Sequence, residues 1–239
     1  MAIHTETAAS AAPVAEAVPP LMNGDRLTRA EFERRYDAMT DLKKAELIKG
    51  VVYVPSPVSV DHDGPHFDLV TWLGTYRAAT AGVRGGDNGS LRLDLKSMPQ
   101  PDAYLMIQPS HGGNARISPD RYVVGGPELI AEVAASSASY DLHDKLTAYQ
   151  RNDVREYLVW RVLDQAVDWF VLREGRFDPL RVDEVGLYKS EVFPGLWLDP
   201  AALIRGDLAS VLQTLQQGLT SPEHATFAAQ LQQRAQPGS

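Results

Sequence analysis

The first residue that asks for chemistry is a glutamate inside a buried strand. Leu129-Ile-Ala-Glu132-Val-Ala-Ala135 is apolar apart from Glu132. An unpaired carboxylate in such a run costs several kcal/mol, so it needs a cation, a proton or several donors. Asp102 opens a second apolar run, through Ile107, directly after Pro101, and Glu46 stands between Ala45 and Leu47 in a third. Taken singly, each acid has a simpler reading, at a sheet edge facing solvent or an arginine. Converging, the three would form the hard oxygen site that Mg²⁺ or Mn²⁺ prefers.

Asp141, Lys145 and Tyr149 follow at i, i+4 and i+8, along one face of a helix. A chain turning at Ser136-Ser137 would bring Lys145 back beside Glu132. On helix geometry alone, an exposed Asp141–Lys145 pair worth a few tenths of a kcal/mol is the simpler expectation. His62 and His66 also stand four apart, but Asp63 replaces the glutamate of a zinc-protease helix, and Gly64-Pro65 should interrupt any helix. Substrate contact beside the acids is the role left to them, with solvated histidine the default. Arg84-Gly-Gly-Asp-Asn-Gly89 lacks the Gly-Lys-Ser/Thr of a phosphate-binding loop and reads as a turn, from which Arg84 could meet a phosphate. Ser136, Ser137 and Ser139 have no His–Asp set to activate them, and the four tryptophans read as core rather than as base-stacking platforms.

These residues need elements to hold them. Thr28-Arg-Ala-Glu31 has the form of a capping box and predicts a helix through Phe32 and Tyr36. Ala45 to Val54 reads as a β-hairpin turning at Lys49-Gly50. Phe67, Val70, Leu73 and Tyr76 recur at helical spacing within about 64–81. A short strand is expected from Leu91 to Leu95, and central strands at Asp102–Ile107 and Leu129–Ala135. A helix follows from Tyr140 to Arg151, then strands at Glu156–Val162 and Val167–Leu172 with a turn at Glu174-Gly175. A helix near Ala201–Gln217 and a last one opened by Ser221-Pro222 complete the chain. The organisation expected is a leader at 1–25, rich in Ala, Pro and Glu, one domain at 26–205, and a helical tail at 206–239.

Composition narrows the chemistry further. The 239 residues include no cysteine, which excludes disulfides, thiolate zinc sites and cysteine nucleophiles. No stretch approaches the ~20 apolar residues of a membrane span, and the N-terminus lacks the build of a signal peptide, so a cytoplasmic location is expected. A net charge of −8 counts against tight, constitutive DNA binding. It counts less against a nuclease, whose ions and few local cations can carry the phosphate contact.

Pro101-Asp102, the strand closing on Glu132-Val133, Lys145 in the next helix and Val154-Arg-Glu-Tyr-Leu-Val159 together resemble the Uma-two family. Glu46-Leu-Ile-Lys-Gly50 and Phe193-Pro-Gly-Leu-Trp-Leu198 fit its opening and closing segments. The likeness runs from about Leu27 to Leu203. That family belongs to the PD-(D/E)XK, restriction-endonuclease-like nucleases. The resemblance implies an α/β (α+β) single domain with a central mixed β-sheet flanked by helices. It further implies metal (Mg²⁺ or Mn²⁺) held by Asp102, Glu132 and the Val133 carbonyl, with Glu46 as an additional acid. DNA is the implied substrate, and a second copy of the chain is a candidate partner. Ala134 stands where the superfamily pattern places lysine, and Lys145 resembles the migrated lysine. The rival reading is a catalytically inactive descendant that keeps the fold as a binding or regulatory module.

Overall fold

The computed structural model describes residues 17–55, 60–135 and 137–235; residues 1–16 of the expected leader lie outside them. Thr28 caps α1 (Arg29–Ala38), its hydroxyl accepting from the Glu31 N–H at 3.4 Å. The hairpin of β1 (Glu46–Ile48) and β2 (Val51–Tyr53) turns at Lys49 and Gly50, whose φ values of 52° and 83° suit a tight two-residue turn. Leu21, Phe32, Leu47, Val52 and Met98 bury together beneath this hairpin and fix its position.

Helix α2 (Val60–Ala79) starts earlier than the spacing predicts and runs through Pro65. Pro65 is the sixth residue, past the first turn where proline costs nothing, so it forfeits one helical hydrogen bond while its fixed φ stays helical. Next come β3 (Val83–Gly86), β4 (Leu91–Arg92), β5 (Ala103–Ile107), β6 (Arg116–Ile117), β7 (Val123–Val124) and β8 (Leu129–Ala134). The strand expected to reach Leu95 thus stops at Arg92. The helix expected at Tyr140–Arg151 comprises α3 (Ala138–Tyr140), a π turn at Asp141–Lys145 and α4 (Leu146–Arg151). Strands β9 (Glu156–Arg161), β10 (Ala166–Arg173), β11 (Arg176–Pro179), β12 (Tyr188–Lys189) and β13 (Trp197–Leu198) follow. The single helix expected near Ala201–Gln217 is two, α5 (Pro200–Ile204) and α6 (Leu208–Leu219). Gly206 breaks them at φ 71°, and Asp207 caps the second by accepting from the Ser210 N–H. Ser221 caps α7 (Pro222–Ala235), accepting from the His224 N–H at 3.2 Å.

Six strands form the central sheet in the order β11-β10-β9-β8-β5-β3, antiparallel throughout except for the parallel pair β8–β9. Both faces of its middle strands are covered, which is why they read as unbroken apolar runs. On one face, Leu105, Ala131, Val133 and Leu158 pack against Trp72 and Tyr76 of α2, with Val211, Leu215 and Leu231 of α6 and α7 in the same core. On the other, Tyr104, Met106, Ile130 and Val159 pack with Tyr149 and Tyr157 beneath α4. The segment after residue 205 therefore packs as part of the main core. No helix among the described residues is long and apolar enough to cross a membrane.

Candidate active site

Register brings the two strand acids face to face. β5 and β8 pair antiparallel with Ala103 opposite Ala131 and Tyr104 opposite Ile130, so one step further sets Asp102 opposite Glu132, on the α4 side of the sheet. The two residues interlock through the backbone. The Asp102 N–H donates to Glu132 Oε2 at 3.3 Å, and the Val133 N–H donates to Asp102 Oδ2 at 2.9 Å. The N–H and C=O of one strand residue face the same neighbour, so the Val133 carbonyl also lies on the Asp102 side.

The helix above supplies the cation. An α-helix drifts by about 40° over each four-residue step, and a wider π turn reduces that drift. Asp141, Lys145 and Tyr149 thereby all reach the same spot. Lys145 Nζ lies 2.9 Å from Glu132 Oε1, 3.2 Å from Glu46 Oε1 and 3.4 Å from Asp141 Oδ1, while the Tyr149 hydroxyl donates to Glu132 Oε1 at 2.8 Å. Asp141 and Lys145 are only 2% and 4% exposed, which overturns the surface ion pair that helix geometry alone suggested. Glu46 arrives from the hairpin, held by the Gln100 N–H at 2.7 Å.

Helix α2 reaches the same point from its N-terminal end. Because Pro65 does not interrupt it, His62 and His66 sit one turn apart: His62 Nε2 is 3.1 Å from Asp102 Oδ2 and His66 Nε2 is 2.9 Å from the Asp102 carbonyl oxygen. Lys44 Nζ lies 3.4 Å from Asp102 Oδ1 and also donates to Asn88 Oδ1. Arg84 stands apart from this group. It lies in β3 rather than in a turn, exposed on the edge of the sheet, where its charge acts on Tyr104 and it lines a groove with Arg77.

Burial and charge set the electrostatics. Burial, reinforced by the nearby Asp102, Asp141 and Glu46, pushes the Glu132 carboxyl up to about 8 despite the Lys145 ammonium. Burial also raises Asp141. At Asp102 burial works the same way, but the His62 hydrogen bond and the charges of Lys44 and Lys145 outweigh it and hold the acid below its ordinary value. Burial opposes the charge on Lys145, yet Glu132 and Glu46 hold its ammonium well above the usual lysine range. Four buried carboxylates, Glu46, Asp102, Glu132 and Asp141, thus face the two ammonium groups of Lys44 and Lys145. Fully ionised, the acids would outnumber the ammonium groups by two, the charge of one divalent cation; without an ion, the raised Glu132 carboxyl keeps a proton at neutral pH.

Three of the contributors give little warning in the sequence. Lys44 and Gln100 lie on irregular segments without a period to read, and Tyr140, whose ring centre is 5.3 Å from Lys145 Nζ, looks like any apolar helix residue. Among the described residues no three Asp, Glu or His side chains are gathered as a ready-made metal shell. The donor set still fits Mg²⁺, which takes one or two carboxylates and fills its remaining places with water and substrate oxygens.

In fold the chain resembles a crystal structure described as "a putative nuclease belonging to DUF820 from Anabaena variabilis ATCC 29413". The TM-score is 0.56 at 11% identity, over 72% of this chain and 97% of that one. No curated protein matches the chain. The mixed sheet between helices is the restriction-endonuclease-like architecture expected from the sequence. Residues 29–201 match the family Uma2, described as "Putative restriction endonuclease", and the chain belongs to that family.

Proposed function

We propose that the chain is a metal-dependent endonuclease that hydrolyses phosphodiester bonds of DNA. The observation that carries this reading is the opposition of Asp102 and Glu132 on neighbouring strands, in a buried site where four acids face two ammonium groups. Asp102, Glu132 and the Val133 carbonyl would hold Mg²⁺ or Mn²⁺. When bound, such an ion supplies charge neutralisation at the scissile phosphate and a bound water of lowered pKa. The protein's own part is positioning. Tyr149 and Lys145 fix one oxygen of Glu132, the Val133 N–H and His62 fix one oxygen of Asp102, and His66 holds the Asp102 main chain. Lys145 is the cation that meets the added negative charge of the transition state, and Glu46 is the acid that steadies it. His62 and His66, beside Asp102, are assigned to contact with the substrate backbone, and Arg84, apart from them on the sheet edge, to a more distant phosphate.

The test is cleavage of mixed DNA and RNA substrates with Mg²⁺ or Mn²⁺, alongside calorimetric titration of either ion. Asp102→Asn and Glu132→Gln are each expected to abolish ion binding and cleavage. Undiminished binding in both variants would sink the site. The rival reading, a non-catalytic binding module, has one observation in its favour: Lys145 is fully engaged by carboxylates. Ion binding without cleavage of any substrate would favour it.

A further inference from the structure

An ammonium has three N–H donors. On Lys145 one is donated to Glu132 Oε1 at 2.9 Å, and the ammonium is also ion-paired with Glu46 Oε1 at 3.2 Å and Asp141 Oδ1 at 3.4 Å. Its side chain is 5% exposed, so solvent has almost no access to it. In this arrangement the ammonium is enclosed by three carboxylates, out of reach of a phosphate or an attacking water in solvent. The carboxylates, for their part, cannot spare it, because an uncompensated buried charge costs several kcal/mol. Beside the cluster, the buried Tyr140 hydroxyl has no hydrogen-bond partner among the described residues. It is an oxygen with acceptor capacity unused.

We propose that Lys145 is the resident cation of the metal-free site, and that it yields Glu132 when a divalent ion binds, which frees its N–H donors for the substrate phosphate. This rests on the reading of Asp102 and Glu132 as ion ligands. Lysine and ion then compete for the same carboxylate, and the lysine becomes available only once the ion is in place. Asp141, which belongs to the same helix, keeps the ammonium tethered within the site during the exchange, and Tyr140 offers the released donors a neutral acceptor. A lysine that serves turnover alone predicts ion affinity indifferent to its removal. A resident cation predicts that its removal tightens ion binding.

The experiment is calorimetric titration of the full-length protein with Mn²⁺ and Mg²⁺, without substrate, in wild type and Lys145→Met. The variant is expected to bind Mn²⁺ about tenfold more tightly or better, since the ion no longer competes with the ammonium for Glu132. Its melting temperature without ion should fall, and added Mn²⁺ should raise it further than in wild type. Affinity equal to or weaker than wild type overturns the proposal while leaving the ion site intact. A wild type that binds neither ion overturns both. Should Lys145→Met fail to fold, wild type labelled with ¹⁵N-lysine decides the matter. Lys145 is the one buried lysine among the described residues, so its ammonium signal is the one shielded from solvent exchange. Saturating Mg²⁺ is expected to shift that signal and speed its exchange. A signal left unmoved and still shielded, with Mg²⁺ bound, overturns the proposal.

Discussion

Tyr149 shows how closely one side chain is bound into the site. Its hydroxyl shares Glu132 Oε1 with Lys145, and both are buried. Tyr149→Phe removes one charge-assisted hydrogen bond without opening a cavity. It is expected to cost roughly 1–3 kcal/mol in urea unfolding, in the range of bonds to charged groups. Cleavage should fall as well, because Glu132 loses part of its fixed orientation; a variant as stable and active as wild type would show the bond to be incidental. Glu132 and Asp102 were legible in the sequence because a charge inside an apolar strand has few innocent explanations. Lys145 carried no such mark. It sits among Asp, His and Leu in a helix that could as well face water: the spacing with Asp141 and Tyr149 raised it, helix geometry alone favoured a surface pair, and the resemblance gave it a role. Glu156 went unnoticed for the opposite reason: an acid at the first position of a strand looks like an edge residue, yet this one is fully buried.

At the scale of elements, the π turn and the Glu156 latch each hold something in place. Inserting one alanine after the exposed His143 should swing Lys145 about 100° off the acids. The fold is expected to survive with a melting temperature lowered by several degrees, about 2–4 °C for each kcal/mol lost in a domain of this size, and with cleavage abolished. Full activity would show that Lys145 need not sit in this register. Glu156, at the head of β9, accepts from the Ser190 hydroxyl and from the N–H groups of Glu191 and Val192, and so ties the segment before β13 to the sheet. Burial pushes its carboxyl up to about 7, against the pull of those donors. The folded state therefore holds a proton that the unfolded state releases above about 4.5. The resulting stability is complete below that value and is lost as pH rises through about 7. Urea unfolding of wild type from pH 5 to pH 8 should lose on the order of 2–3 kcal/mol relative to Glu156→Gln. Parallel pH profiles for the two would refute the latch. The sequence predicted the strands that hold these groups but neither the π turn nor the break at Gly206. Both are single-residue irregularities that leave the apolar period nearly unchanged.

At the scale of the whole molecule, the apolar face of α2 is completed from the far end of the chain. Leu231 and Val211 share its core, the Tyr76 hydroxyl donates to the Pro194 carbonyl, and Thr80 Oγ1 lies 2.9 Å from His224 Nε2. Truncation after Gly206 keeps every residue of the candidate site, yet exposes this core. Each lost Leu or Val contact costs about 1.5–3 kcal/mol, and a few of them exceed the stability of an ordinary domain. The truncated chain is expected to show no cooperative unfolding transition by circular dichroism; a sharp transition near that of wild type would make the last helices dispensable. The same bond between Thr80 and His224 joins residues 144 positions apart, and this bears on synthesis as well as on stability. A ribosome delivers the chain from its N-terminus, so Trp72, Tyr76 and their neighbours emerge long before the helices that cover them. While translation lasts, the growing chain carries an uncovered apolar stripe next to an unpaired strand edge. The stretch of the message that encodes α6 and α7 thus governs whether the site made from the earlier stretches ever closes into a folded protein, and a chaperone that shields α2 during elongation would bridge the interval.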